Sequence, residues 1–244
     1  MSELGELRQD VQANNFCAIL EVTNGISNKQ LEEKVEQLHH AEKFIQRIAP
    51  KARAFTGILF FRNNNVRQFE RGVDYIAQIP EYESLRAVTA LQKALPRLNC
   101  DKHRETAEEI RELVQNGAHL EDLFYPKREN WEEFTNKYAG FVKDADMKTY
   151  NEKVGEVKGF VLEEYATLLC KEAMPKAKII APFNYYQYLA PLGLIRPREG
   201  FETRVPKHGE IDIIIAGPEE IILEGLQKPK YFRVHSSSLR TSSS

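Results

Sequence analysis

Two short apolar runs near the C-terminal end of this chain each place an acidic residue among apolar ones, and these acids constrain how the chain can fold. Asp212 lies in the run of residues 210–215, and Glu224 ends the run of residues 221–224. Both runs predict buried strands, joined across residues 216–220. A buried carboxylate is costly unless it is paired, hydrogen-bonded or bound to a metal ion. Asp212 and Glu224 are therefore the first candidates for a metal-dependent site.

A third acid, Glu164, lies on the apolar seam of a long helix predicted at residues 144–172. The seam advances in alternating steps of three and four residues, and its members are Met147, Tyr150, Val154, Val157, Val161, Glu164 and Leu168. This is heptad spacing, which lets a helix pack against a partner helix or against another part of the core. Glu164 is the only charged residue of the seam, so it is a candidate either for metal binding or for fixing the register of a partner helix.

The succession of a helix with inward-facing Glu164, a strand region, a strand with Asp212 and a strand with Glu224 resembles the PD-(D/E)XK nuclease superfamily. The resemblance covers about residues 148–234. In that superfamily a helix glutamate, a strand aspartate and an acid on the next strand hold one or two divalent ions, which activate a water for attack on a phosphodiester. The resemblance implies a Mg²⁺ or Mn²⁺ site with these ligands: Glu164 (or its neighbour Glu163), Asp212 and Glu224.

The superfamily's lysine normally lies two residues after the second acid, where it is thought to orient the attacking water and stabilise developing charge. Leu226 occupies that position in this chain. Lys228 and Lys230 follow closely, and we expect one of them to be a displaced substitute. His208 lies four residues before Asp212 and is a further candidate for contact with a phosphate or metal. The departure at Leu226 leaves two alternatives open, an active enzyme and a catalytically inactive nuclease fold kept for binding.

The connection between the two predicted strands decides whether their acids meet. Side chains alternate between the faces of a strand, so Asp212 and Glu224 converge only if the connecting loop has an odd length of three or five residues. A two-residue turn at residues 217–218 sends them to opposite faces. The alternative interpretation is an ordinary hairpin with both acids on a solvated face and Glu164 paired with a lysine or arginine.

The periodicity of the whole chain predicts an α+β fold. Residues 16–22 and 54–61 are strand-like and enclose a strong amphipathic helix, so the chain opens with a β-α-β unit unless 54–61 form a buried helix. We predict a helix-rich N-terminal region at 1–143 and a PD-(D/E)XK-like α/β region at 144–235, in which a small β-sheet packs on the long helix. A disordered serine-rich tail is predicted at 236–244. A single α+β domain is the alternative division.

Composition narrows the class of protein and its partners. The 34 basic and 36 acidic side chains give a formal charge of −2, so any surface that binds nucleic acid has to be local. The three cysteines are far apart and odd in number, and the first residues do not resemble an export signal. Both features predict an intracellular protein, in the cytoplasm or nucleus, with reduced thiols. No apolar run approaches the roughly 20 residues that span a bilayer, so no membrane partner is expected.

These features predict a metal-dependent, nuclease-like protein that binds or cleaves nucleic acid, either DNA or RNA. The alternative is a non-enzymatic adaptor or assembly protein that uses its helical surfaces for protein–protein interaction. In that case helix 144–172 holds a protein partner or forms a homodimer, and Glu164 sets the register. The two hypotheses differ in the direction of Glu164, which faces Asp212 in a metal site and a partner helix in an assembly.

Overall fold

The computed structural model describes residues 2–25, 28–62, 72–143, 145–189, 192 and 210–234. The chain divides into two compact units, Met1–Pro80 together with Leu169–Ser244, and Glu81–Leu168. The predicted division at residues 143/144 lies inside the second unit, and the predicted tail at 236–244 lies outside the described residues. Over the described ranges, no helix combines the length and apolar character needed to cross a membrane.

The first unit contains both strands and helices, whereas the described part of the second unit is helical. In chain order the elements are α1 (Glu3–Asn14), β1 (Phe16–Gly25), α2 (Asn28–Ile48), β2 (Arg53–Arg62), β3 (Tyr75–Gln78), α3 (Ser84–Ala94), α4 (Asp101–Gln115), α5 (Leu120–Phe124), α6 (Trp131–Lys137), α7 (Ala139–Val142), α8 (Met147–Ala173), β4 (Lys178–Ile180), β5 (Phe183–Asn184), α9 (Tyr186–Leu189), β6 (Glu210–Ile211), β7 (Ile213–Ala216), α10 (Glu219–Leu226) and β8 (Arg233–Val234). Two short 3₁₀ helices, Leu95–Arg97 and Arg128–Asn130, belong to the second unit.

The chain opens with the predicted β-α-β unit. β1 and β2 pair in parallel along most of their length, and α2 forms the crossover that parallel neighbours require. On α2, Ile45 and Ile48 lie in one buried cluster with Ile19 of β1 and Ile58 of β2. The β-α-β prediction is confirmed, and the alternative of a buried helix at residues 54–61 is wrong.

One six-stranded mixed sheet combines strands from both ends of the chain. Its order is β4-β7-β1-β2-β3-β8. β1, β2 and β3 are parallel, whereas β7 is antiparallel to β1, β4 to β7 and β8 to β3. The α+β fold class is confirmed, but β4, β7 and β8 extend the N-terminal sheet, and only β5 and β6 pair separately. Strands of two to four residues bury too little surface to form a stable sheet alone, so they add to the longer strands.

The strand predicted at residues 221–224 is wrong, because these residues belong to helix α10. Pro218 precedes the helix at its N-cap, and two glutamates follow in the first turn, where negative charge is favourable beside the helix N-terminus. Ile222 and Leu226, one turn apart, are fully buried. The apolar run therefore forms one face of a helix, and the predicted hairpin does not form.

Helix α8 confirms the long helix predicted at residues 144–172. Four apolar residues of its predicted seam are fully buried within the chain: Tyr150, Val154, Val157 and Val161. Three aromatic rings surround that of Tyr150, with centroid distances of 5.2–5.7 Å: Trp131, Phe134 and Phe141. The protein's own side chains fill this part of the seam, which leaves the predicted partner helix or homodimer at α8 without support.

Candidate metal centre

Strands β1 and β7 bring two acidic residues next to each other. The strands are antiparallel, and their last paired residues are Leu20 and Ile213. The next residues in the same register are Glu21 on β1 and Asp212, which occupies the bend between β6 and β7. Residues directly opposite each other in an antiparallel pair project to the same face. The register of the sheet therefore brings the two carboxyl groups together.

Two hydrogen bonds hold the Asp212 carboxylate beside β1. Its Oδ2 atom accepts a hydrogen bond from the Val22 N–H at 2.7 Å and another from Lys34 Nζ at 3.2 Å. Asp212 is only 8% exposed. Hydrogen bonds to an ionised acceptor are short and strong, and here they compensate for burial of the charge. The predicted burial of Asp212 is confirmed, and its alternative placement on a solvated face is wrong.

Lys34 of α2 links Glu21 to Asp212. Its Nζ atom lies 2.6 Å from Glu21 Oε2 and 3.2 Å from Asp212 Oδ2, while 23% of its side chain remains exposed. Burial by itself lowers the pKa of Lys34, but the charges of Asp212 and Glu21 outweigh burial and raise that pKa above its ordinary value. Lys34 is therefore an ammonium ion at neutral pH.

Glu21 is more deeply buried than Asp212, with 1% of its surface exposed. Burial raises the pKa of its carboxyl well above the ordinary range, the charge of Asp212 raises it further, and Lys34 acts in the opposite direction. Its second oxygen, Oε1, is buried and has no hydrogen-bond partner among the residues that the structure describes. A buried oxygen of this kind is unfavourable unless a proton or a cation satisfies it.

Glu210 lies two residues before Asp212 and adds a third carboxylate. Oxygen atoms of the two side chains lie within 4.8 Å of each other, which one ion can bridge because its bonds to oxygen measure roughly 2–2.6 Å. Glu210 is exposed and Asp212 is buried, so the acids extend from solvent into the protein. Carboxylate oxygens are the donors that Mg²⁺ and Mn²⁺ prefer. Glu210 and Asp212 therefore offer two ligands to a divalent cation, whereas Glu21, which shares Lys34 with Asp212, belongs to no group of three potential ligands among the described residues.

Glu164 is held inside the second unit by an arginine. Arg97 lies 3.1 Å from the Glu164 carboxylate and 2.5 Å from that of neighbouring Glu163. Its guanidinium also lies over the Phe160 ring, 4.6 Å from the centroid. The burial of Arg97 lowers its pKa, but the two glutamates outweigh this effect and raise it. The pairing of Glu164 with an arginine is what the hairpin alternative predicted, and its role as a metal ligand stays a prediction.

Glu224 was predicted to bind metal from a strand beside Asp212, but it lies on helix α10. It is exposed on α10 and belongs to no group of three potential metal ligands within the described ranges. Leu226, at the position expected for the lysine, is fully buried, and its carbonyl accepts a hydrogen bond from the Tyr75 hydroxyl at 2.6 Å. Glu224 as a metal ligand stays a prediction without its supporting strand.

The predicted catalytic lysines make contacts of other kinds. Lys228 Nζ donates to the Ala173 carbonyl at 2.7 Å, where a cation is favourable at the C-terminal end of a helix. Lys230 Nζ lies 5.2 Å from the ring centroid of Tyr231. His208 lies outside the described residues. The catalytic roles of Lys228, Lys230 and His208 remain predictions.

Sequence reasoning missed Glu21 and Lys34. Glu21 had a usable signal, because it lies within the apolar run of residues 16–22 just as Asp212 lies within its own run. Lys34 had none, since a lysine on an amphipathic helix is ordinarily solvated. Only the packing of α2 beside β1 and β7 brings its ammonium group to the two acids.

Comparison with known proteins gives this chain no relative. No protein-family model, curated protein or solved structure matches it. The function therefore has to be inferred from the carboxylate cluster itself.

Proposed function

We propose that Asp212, together with Glu21 or Glu210, forms the divalent-metal site of a nuclease-like protein that binds or cleaves nucleic acid. The observation that supports this proposal most strongly is the buried pair formed by Glu21 of β1 and Asp212 of the bend between β6 and β7, with one Glu21 oxygen lacking a hydrogen-bond partner among the described residues. Once both buried carboxyl groups are ionised, the single ammonium group leaves an excess of negative charge, which a divalent ion compensates.

The second strand of the PD-(D/E)XK pattern, predicted at residues 221–224, is a helix in this chain, so only the pairing of Asp212 with Glu21 can be compared with that pattern. The superfamily combines a strand aspartate with an acid on the next strand, and Asp212 has such a neighbour in Glu21. Glu21 precedes Asp212 by 191 positions in the sequence, whereas the superfamily pattern has it afterwards. Metal coordination depends on adjacency in the sheet and not on chain order. In this proposal Glu21 takes the role first assigned to Glu224.

A lysine is available for the same site. Two residues after Glu21, where the superfamily pattern has its lysine, this chain has Thr23. Lys34 lies within hydrogen-bond distance of both Glu21 and Asp212, and part of its side chain is exposed. Lys34 is therefore a better candidate for this role than Lys228 or Lys230.

The chemistry assigned to the site follows from these groups. A bound Mg²⁺ or Mn²⁺ would supply Lewis acidity, lowering the pKa of a water and offsetting charge that develops on a phosphate. The Val22 N–H holds the Asp212 carboxylate in a fixed orientation, and Lys34 provides a positive charge for an anionic group. Glu210 is exposed, so a substrate can approach the cluster from its side. The substrate class is a phosphodiester of DNA or RNA.

The first test is Mn²⁺-dependent cleavage of labelled single-stranded DNA, duplex DNA and RNA. Asp212→Asn and Glu21→Gln are expected to lower the rate by at least about a hundredfold, because each removes a charged ligand from the site. Glu220→Gln, an exposed glutamate on α10, is the matched control and should keep the parent rate.

The result also separates an active enzyme from a degenerate one. If no substrate is cleaved, Mn²⁺-dependent binding of the same labelled strands, lost in Asp212→Asn, supports a nuclease-like fold kept for binding. If the parent shows no cleavage and no Mn²⁺-dependent binding, the proposal is contradicted.

A further inference from the structure

The Lys34 ammonium group contacts carboxylate oxygens that a metal ion would need as ligands. Its Nζ is in contact with Oε2 of Glu21 and Oδ2 of Asp212. Within the described part of the chain, no other cation forms an ion pair with either acid. The ammonium group therefore acts as the counter-ion of the cluster in this arrangement.

Two cations cannot share this pair of carboxylates without repelling each other. Glu21 is almost fully buried and Asp212 nearly so, and charges in partly buried sites interact more strongly than charges in water. A divalent ion bound to these acids comes close to the ammonium group wherever it binds them. Each cation therefore lowers the affinity of the carboxylates for the other. By thermodynamic linkage, the two changes in binding free energy are equal.

The Lys34 side chain is long and flexible enough to move its ammonium group away from the two acids. Its side chain is 23% exposed, so part of it is in contact with solvent. A lysine head group is a compact point charge on a flexible four-carbon stem. Moving this group by a few bond rotations needs no change in the backbone of α2.

We propose that Lys34 and a divalent cation compete for Glu21 and Asp212. While Lys34 holds the two carboxylates, it keeps the site closed. When the ion binds, Lys34 is displaced toward solvent, where it becomes available to an anionic phosphate. The lysine is thus an internal competitor of the metal and a regulator of the site. This inference rests on the proposed metal site and adds a property that the site does not require.

The test is the affinity for Mn²⁺, measured by isothermal titration calorimetry without substrate. Lys34→Met removes the charge, and Lys34→Gln removes the charge while keeping a hydrogen-bond donor. Both variants are expected to bind Mn²⁺ about tenfold more tightly than the parent, within the usual range of coupling between two ligands. Lys43→Met, which changes an exposed lysine on the same helix, is the matched control and should leave the affinity unchanged.

An orienting role for Lys34 gives the opposite result. If Lys34 positions the carboxylates for the metal, both Lys34 variants bind Mn²⁺ with equal or lower affinity, and the competition is refuted. If a variant is less stable than the parent, the Mn²⁺-induced rise in its melting temperature is compared with that of the parent. A larger rise supports competition, and an equal or smaller rise refutes it.

Failure of the underlying metal site is recognised separately. If neither the parent nor the Lys34 variants bind Mn²⁺, or if Asp212→Asn binds it as tightly as the parent, the proposed site itself is wrong. If Asp212→Asn loses Mn²⁺ binding while the parent and both Lys34 variants bind Mn²⁺ equally, the metal site stands and only the proposed competition is refuted.

Discussion

Burial sets the chemical reactivity of the three cysteines. Cys17 lies inside the sheet on β1, and burial raises the pKa of its thiol to about 12. Burial has the same effect on Cys170 of α8, whose pKa is also raised to about 12. Cys100, just before α4, is exposed. Since the thiolate is the reactive form, only Cys100 combines access with reactivity.

Native labelling is therefore expected to modify a single cysteine. At pH 8 a thiol with a pKa near 12 is ionised to only about one part in ten thousand, so Cys17 and Cys170 should react with a thiol reagent only after unfolding. Mass spectrometry after brief treatment should find one label on the folded protein and three in denaturant. Cys100→Ser should abolish the rapid reaction, and equal labelling of all three native cysteines contradicts the burial of Cys17 and Cys170.

At the scale of elements, one glycine sets how closely α10 approaches the end of α8. A Cβ atom added to Gly225 would lie 2.0 Å from Met174 Cγ and 3.4 Å from the Ala173 carbonyl oxygen. The same carbonyl accepts the hydrogen bond of Lys228. The absence of a side chain at Gly225 therefore allows α10 to lie close against Ala173 and Met174 at the C-terminal end of α8.

Gly225→Ala is expected to destabilise the protein by up to about 2 kcal/mol. Alanine favours a helix by about 1 kcal/mol over glycine, but the clash with Met174 forces overpacking, which typically costs about 1–3 kcal/mol. Chemical denaturation followed by circular dichroism measures the difference. Glu220→Ala, on the exposed face of α10, should change the stability by less than about 0.5 kcal/mol, and a stabilised Gly225→Ala would show that Met174 moves aside freely.

At the scale of the whole molecule, the central sheet depends on strands from both ends of the chain. β1 lies between β2, which follows it closely in sequence, and β7, which lies near the C-terminal end. β7 in turn pairs with β4, and β8 covers β3. The first unit is therefore assembled from two distant segments, Met1–Pro80 and Leu169–Ser244.

A fragment of residues 1–143, the N-terminal region predicted from sequence, is expected not to fold. It keeps β1, β2 and β3 but lacks β4, β7 and β8, so the backbone and apolar side chains of β1 lose one neighbour and become a template for aggregation. Size-exclusion chromatography and thermal unfolding of the fragment, beside the full chain, measure the effect. A monomeric fragment with a cooperative transition contradicts the dependence of β1 on β7.

Local patterns were sufficient for much of this fold. The β-α-β unit, helix α8, the α+β class and the burial of Asp212 follow from the periodicity of apolar residues over short windows. The same information was insufficient for residues 221–224, because a short apolar run fits both a strand and one face of a helix. Their assignment depended on Pro218, the two glutamates after it and the packing surface near Met174.

The candidate site shows what the sequence determined alone and what only the tertiary structure decided. The sequence determined that acids lie within apolar runs, since this is a property of neighbouring residues. The tertiary structure decided which acids meet, because Val22 and Lys34 reach Asp212 across 190 and 178 residues of chain. Such pairing depends on sheet register and helix packing. No local pattern in the chain encodes that order of strands, so Glu21, rather than Glu224, is the acid beside Asp212.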